Sequence, residues 1–364
     1  MPDYRPVHGD SAGECHRVGW ILVGDEGVGY VFCQAEAEAV AYFGEAQHAY
    51  ADPVGNLATT AFPFLEIDAF SDAAIDRDAA RSDQREAALS RMRALQPSRI
   101  PASEVFDVET YARFLSLVDL WGASEAVSLV NLRYYYDPST GRVEPIGFVG
   151  NPLSSEERLP LTATYGDTTL QAAYARAAER TSDASYLDSL RADLDEELMR
   201  LQQLLEPAAG ELAPPWDALE ERQMWMRQSL DPIQPVFAYL GNANASVIAT
   251  IEIDVASVVN LPIEVVGFDI NGTTFLEADP AWLRTDLDPA LVTVRGNQIV
   301  LPAGSSPTPR YVRFHVPVTE IVRLDAESLF FRPTDVSVDT RILGLDGHQL
   351  TPARQGAPAS LIAP

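Results

Sequence analysis

At Pro232 and Pro235 the hydrophobic period of the chain changes, and that change decides what it can fold into. Upstream, Leu187, Leu190, Leu194, Leu198, Leu201 and Leu205 recur every three or four residues, the spacing of one helix face. Downstream, Val247, Ala249, Ile251, Ile253 and Val255 alternate with mostly polar residues, the period of a half-buried strand. The expected class is therefore α+β: helices first, then a small all-β, sandwich-like domain.

On the helical side, Asp107 is placed to cap a helix over residues 108–122, with Glu109 in its first turn. Tyr111, Phe114, Leu115 and Val118 make its buried stripe, and Asp119 follows at the stripe's edge. Residues 73–95 read as a charged helix with a solvated face, closed by Pro97 and Pro101. The leucine seam is expected to be intramolecular core rather than a dimer coiled coil, since it lacks clean heptads. Pro207, Gly210, Pro214 and Pro215 should break it, and a second helix over 216–230 should fold back, presenting Leu219, Met226 and Leu230.

On the strand side, residues 263–270, 273–277, 291–294, 298–301, 310–316 and 329–332 fit short strands punctuated by Asn271-Gly272 and Gly296-Asn297. Trp282 and Tyr311 are the aromatic candidates for a binding cleft, though both suit a core. The expected divisions are 1–155 for an α+β domain, 156–235 for a helical hairpin, 236–345 for the β-sandwich-like domain and 346–364 for a loosely ordered tail. Near the amino end, residues 18–34 read as two short strands around a Gly-rich turn. Gly24, Gly27 and Gly29 lack the order of a phosphate-covering loop. An alanine-rich helix over 35–43 and an extended stretch over 62–68 follow.

Within the upstream half, after the 108–122 helix, lies a turn sequence, Asp137-Pro138-Ser139-Thr140-Gly141. Pro138 presets the first turn dihedral, Asp137 can bond the backbone ahead of it, and Gly141 can take a positive φ. Two strands should therefore pair across it, with Arg133, Arg142 and Glu144 available for cross-strand ion pairs.

Charge narrows the function. The chain has 53 acidic and 26 basic residues, a net charge of −27, and every basic residue is arginine. Such a surface repels phosphate backbones and anionic lipid, so nucleic acid and membrane surfaces are poor partners. No run of apolar residues is long enough to span a bilayer, and no signal peptide is visible. Cys15 and Cys33 are too few for a disulfide framework, and no histidine has metal-ligand spacing. Nucleophile-elbow, zincin and Walker motifs are all missing.

The segments VFDV, YARFLSLVDLWGA and NLRYYYDPSTGRVEPIGF, between Val105 and Phe148, resemble the core of the CotH family of atypical protein kinases, first named for a spore-coat protein. The resemblance implies a kinase-like catalytic-lobe fragment whose amino-terminal small lobe is reduced or missing. RQMWMRQSLDP, ending at Pro232, looks like the tail that follows the core in longer relatives. The implied candidates are Asp119 and Glu125 as catalytic acids and Asn131 as a cofactor-binding amide. The family's acidic metal ligand is replaced by Val149, which offers no oxygen. Nor is there a lysine to pair with ATP phosphates, and arginine's planar fork is a poor substitute for an ammonium.

The expected function is a catalytically inactive pseudokinase or scaffold derived from an ATP-dependent protein kinase. No cofactor is expected, or ATP and Mg²⁺ if the ancestral site survives. One alternative is a non-enzymatic cell-envelope protein that contacts a protein or surface polymer through its β-domain. Another is an active Ser/Thr kinase with a metal site rearranged around Asp119, Glu125 and Asn131. The resemblance implies an extracytoplasmic or envelope location. Oligomeric state is left open.

Overall fold

The computed structural model describes residues 67, 79–95, 100–127, 131–147, 152–153, 161–209, 214–241, 250–284, 292–303, 309–317, 319–320 and 335–356, with short strands at 23–24, 27–28 and 31–32. The expectations for Cys15, Cys33, Val149, the 35–43 helix and the 329–332 strand lie outside the described residues. The fold is mixed α+β. It divides into two compact units, Met1–Asp107 with Glu125–Gly150 and Val108–Ser124 with Asn151–Pro364.

In the first unit, β1 (Val23–Gly24) and β2 (Gly27–Val28) pair antiparallel as a small hairpin. Helix α1 (Ala79–Leu95) buries only Ala88, Leu89, Met92 and Leu95, a narrow stripe on an otherwise charged surface. A short α2 (Ala102–Val105) leads to Phe106, which bridges to Val143. Strands β4 (Tyr134–Asp137) and β5 (Arg142–Pro145) pair in the expected hairpin, with β3 (Val31–Phe32) on the other edge of β4. Tyr134 and Tyr136 point into the core, and the Tyr134 ring lies 5.3 Å from that of Phe106.

The turn is built as its residues dictate. Asp137 Oδ1 accepts from Ser139 N at 2.8 Å, and its Oδ2 accepts from the Thr140 hydroxyl at 2.8 Å. Gly141 takes φ +66° and donates its N–H to Asp137 O. These bonds hold the Asp137 carboxyl below the usual range, those from Ser139 contributing most. Arg142 Nη1 donates to Ser103 O at 2.7 Å, tying the hairpin to α2. Burial pushes the Glu144 carboxyl up, helped by the charges of Asp107 and Asp137.

The second unit opens with α3 (Val108–Leu120), which packs on α4 (Thr168–Ser182) through Ala112, Ala173 and Ala177. Small side chains let the two backbones approach, and α3 is buried on more than its expected stripe. Tyr111, Leu115 and Val118 are buried as expected, Phe114 is half-buried, and Ala112, Ser116 and Asp119 are buried as well. The long α5 (Ala184–Ala209) runs through Pro207, and α6 (Trp216–Leu230) follows.

The leucine seam of α5 differs from expectation. Leu187 is 1 % exposed, but Leu194, Leu201 and Leu205 are exposed at 37–43 %. The reason lies in α6, whose buried residues are Leu219, Arg222, Gln223 and Met226. The polar ones bind α3 and the end of α4, and among the described residues α6 meets α5 near its start. There Arg191 bonds Glu220 and stacks 5.0 Å over the Trp216 ring.

Beyond α6 the chain forms two sheets. β6 (Val236–Leu240), β7 (Thr250–Ser257), β12 (Val312–Pro317) and β15 (Arg354–Gln355) make one, in the order β12-β7-β6-β15. The other contains β8 (Ile263–Ile270), β9 (Thr274–Glu277), β10 (Thr293–Arg295), β11 (Gln298–Leu301), β13 (Val336–Ile342) and β14 (His348–Pro352). Its order is β10-β11-β8-β13-β14, with β9 also pairing β8. Phe268 on β8 and Phe314 on β12 are both fully buried, with rings 5.1 Å apart, so the sheets meet through their inner faces. Residues 348–352 and 354–355, expected within a loose tail, are edge strands instead, because β13 and β6 offer unpaired edges there. Trp282 is half-buried beside Phe268, and Tyr311 is buried beside Tyr239.

Candidate functional site

Asn131, Glu125 and Asp119 occupy different surroundings. Asn131 Nδ2 donates to Glu125 O at 3.0 Å, closing the loop between the 3₁₀ turn Ser124–Val127 and the start of the hairpin. That bond uses the Glu125 backbone, and the Glu125 side chain is exposed. Asp119 is 2 % exposed in the last turn of α3. Its Oδ2 accepts from Tyr174 Oη on α4 at 2.8 Å, and its Oδ1 lies 3.5 Å from Arg222 Nη2 on α6.

Arg222 is itself 7 % exposed and also donates from Nε to Asp119 O at 2.7 Å. The carbonyls at a helix's end lack intrahelical donors and carry the negative end of its dipole, so a cation there is favoured. From the next residue of α6 and from Arg227, the same pattern meets α4. Gln223 Nε2 donates to Thr181 O and Asp183 O at 2.8 and 2.9 Å, and Arg227 Nη2 donates to Ser182 O. In RQMWMRQ, then, Arg222, Gln223 and Arg227 satisfy the carboxyl ends of two helices. Tyr174 and Arg222 were not legible as partners of Asp119.

A different arrangement lies where α4 begins. Thr168, Thr169, Arg176, Glu264, Arg295 and Arg341 line a cavity of about 320 Å³, drawn from α4 and from strands β8, β10 and β13. Gly344 closes one wall. Its φ is +94°, and a Cβ there would stand 2.5 Å from Ala172 O, so only glycine allows this approach.

Within the cavity Arg341 grips Glu264 with two parallel bonds, Nε to Oε2 at 2.8 Å and Nη2 to Oε1 at 3.0 Å. Gln298 Nε2 adds a third at 3.0 Å. The bonded Glu264 carboxylate holds the Arg341 guanidinium even more firmly charged than usual. Arg295 Nη1 donates to Thr169 Oγ1 at 2.8 Å, and its Nη2 stands 4.0 Å from Asp167 Oδ1. Arg176 Nη2 donates to Glu109 Oε1 at 3.3 Å. Asp167 caps α4, accepting from Thr169 N and Leu170 N.

Among the described residues, no three His, Cys, Asp or Glu side chains converge as metal ligands would. Among them, too, no helix is long and apolar enough to cross a membrane. No protein-family model, curated protein or solved structure matches this chain. Its class as an α+β protein with a helical layer and two facing sheets therefore rests on its own geometry.

Proposed function

We propose that this chain is a non-catalytic scaffold of the kind its CotH-like segments imply, a relative of ATP-dependent kinases that holds a protein or surface-polymer partner and transfers no phosphate. The observation that carries this reading is the environment of Asp119. A catalytic acid must reach the acceptor hydroxyl. The Asp119 carboxylate faces Tyr174 and Arg222 inside a helical core and is 2 % exposed. The lack of lysine in the sequence supports the same reading.

The reading of an envelope binding protein acting through its β-domain is supported by the cavity, to which strands β8, β10, β11 and β13 contribute Glu264, Arg295, Gln298 and Arg341 beside α4. A working kinase, by contrast, requires Asp119 to leave Tyr174 and Arg222, and the Asn131 amide to leave Glu125 O. The test is calorimetric titration of the purified chain with ATP, with and without Mg²⁺. The scaffold reading expects no magnesium-dependent heat. Saturable, magnesium-dependent binding together with phosphate transfer to a Ser-rich peptide would overturn it.

A further inference from the structure

Beyond Arg191, α5 has no cover. Between residues 192 and 205 no side chain is buried, and Leu194, Leu201, Leu204 and Leu205 are exposed at 37 %, 38 %, 62 % and 43 %. With Leu198 they form one stripe, about 16 Å long from Leu194 to Leu205 at 1.5 Å per residue. A helical stretch this short is marginal in water on its own, and an amphipathic one draws its stability from whatever packs on its apolar face. An apolar stripe left open on a folded chain marks an interaction site.

The charges around the stripe indicate the neighbour. Asp193, Asp195, Glu196 and Glu197 crowd one end of it, and Arg200 follows, donating from Nε to Glu197 Oε2 at 2.7 Å. Set antiparallel across a two-fold axis, two copies of the helix bring Leu194 level with Leu205 of the other copy, and Leu198 level with Leu201. Such an axis sets each flank of the stripe against the same flank of the copy. Glu197 and Arg200 share a flank, so Glu197 stands two residues, about 3 Å along the axis, from level with Arg200 of the second copy. Each arginine then serves both glutamates. The same register draws the two acidic clusters about 13 Å apart along the axis, more than a Debye length at physiological salt, whereas a parallel pair would hold them level.

We propose that two copies of this chain pair antiparallel through their α5 stripes, forming a two-fold dimer sealed by the leucines and flanked by Glu197 and Arg200 of both copies. The leucines recur every three or four residues without clean heptads, so the pair is two nearly straight helices rather than a supercoil. A net charge of −27 on each copy opposes association at long range, and salt screens that repulsion. The inference does not depend on the scaffold reading.

The experiment is sedimentation equilibrium of the full chain over about 1 to 100 μM in about 0.3 M NaCl, where the repulsion is screened. A dimer with a Kd of about 10 μM or tighter is expected. Leu201→Ser combined with Leu205→Ser should weaken it at least tenfold. Val294→Ser, at an apolar residue of β10 that is 45 % exposed, should leave it unchanged. Glu197→Arg and Arg200→Glu should each weaken the dimer several-fold, and an equimolar mixture of these two variants should regain it, because each copy then meets the opposite charge. Melting curves confirm that every variant is folded. The proposal is overturned if the chain stays monomeric throughout, if the paired serines leave the dimer intact, or if the mixture associates no better than either variant alone.

Discussion

Two arginine–carboxylate pairs in the second unit use the same groups to different ends. Arg222 and Asp119 are 7 % and 2 % exposed, and each also bonds to something else, Arg222 to a helix-end carbonyl and Asp119 to Tyr174. Arg341 and Glu264 make the better ion pair, two short parallel bonds, yet Arg341 is 30 % exposed and faces a cavity. Geometry alone therefore does not set the value of such a pair. Where water is excluded from both partners, losing one strands a charge, whereas at a cavity wall solvent reaches Arg341 and compensates part of the loss, although Glu264 is only 8 % exposed.

The largest effect is therefore expected at the sealed pair. Arg222→Ala should destabilise the chain by about 4 kcal/mol, because it removes the guanidinium opposite the buried Asp119 carboxylate and one of the donors to the Asp119 carbonyl. Arg341→Ala removes two shorter bonds from a guanidinium that solvent reaches, but it leaves Glu264, itself 8 % exposed, with Gln298, and should cost about 2 kcal/mol. Urea unfolding of the two variants side by side checks the order, and equal losses would remove the distinction. Next comes Gly344→Ala, which forces a Cβ against Ala172 O from a left-handed backbone. A loss of about 2 kcal/mol is expected.

The smallest effect lies in the first unit, which has neither kind of pair at its turn. Asp137 has a lowered carboxyl pKa because Ser139 and Thr140 bond its charged form. Its contribution is present above the unfolded value of 3.8 and is lost as pH falls through the lower folded value. Asp137→Ala should thus cost about 1 kcal/mol near neutral pH, and the gap between variant and parent should close in acid. A gap that is constant with pH would show that the turn does not depend on the ionised carboxylate.

Local features of this fold were legible in the sequence, and non-local ones were not. Asp137 to Gly141 specifies its turn within five consecutive residues, and the 263–270 and 298–301 strands, short apolar runs bounded by turn residues, fall where the sequence places them. Strand β13 was missed although Val336, Val338 and Ile342 alternate. Its other face carries Ser337, Asp339 and Arg341, which read as polar surface until His348 and Glu264 meet two of them from neighbouring strands.

Asp119 shows the same limit. From its own helix it sits at the edge of a stripe, and its burial comes from Tyr174 and Arg222, 55 and 103 positions away. The α5 seam errs in the opposite sense: its period is helical and apolar, but period cannot say whether a neighbour will cover it. Nothing in the order of the chain groups Thr168 with Arg295 and Arg341; only the sheet order β10-β11-β8-β13 and the placement of α4 beside it do.

The most direct test is the unfolding free energy of Asp119→Asn in urea, compared with the parent chain. Replacing a catalytic acid typically leaves stability unchanged or raises it, because active sites trade stability for reactivity. Replacing a structural strut lowers it. A loss of about 3 kcal/mol is predicted, since Arg222 would be left buried opposite a neutral amide. An unchanged or increased stability would contradict the structural role given to Asp119 and return it to the candidates for catalysis.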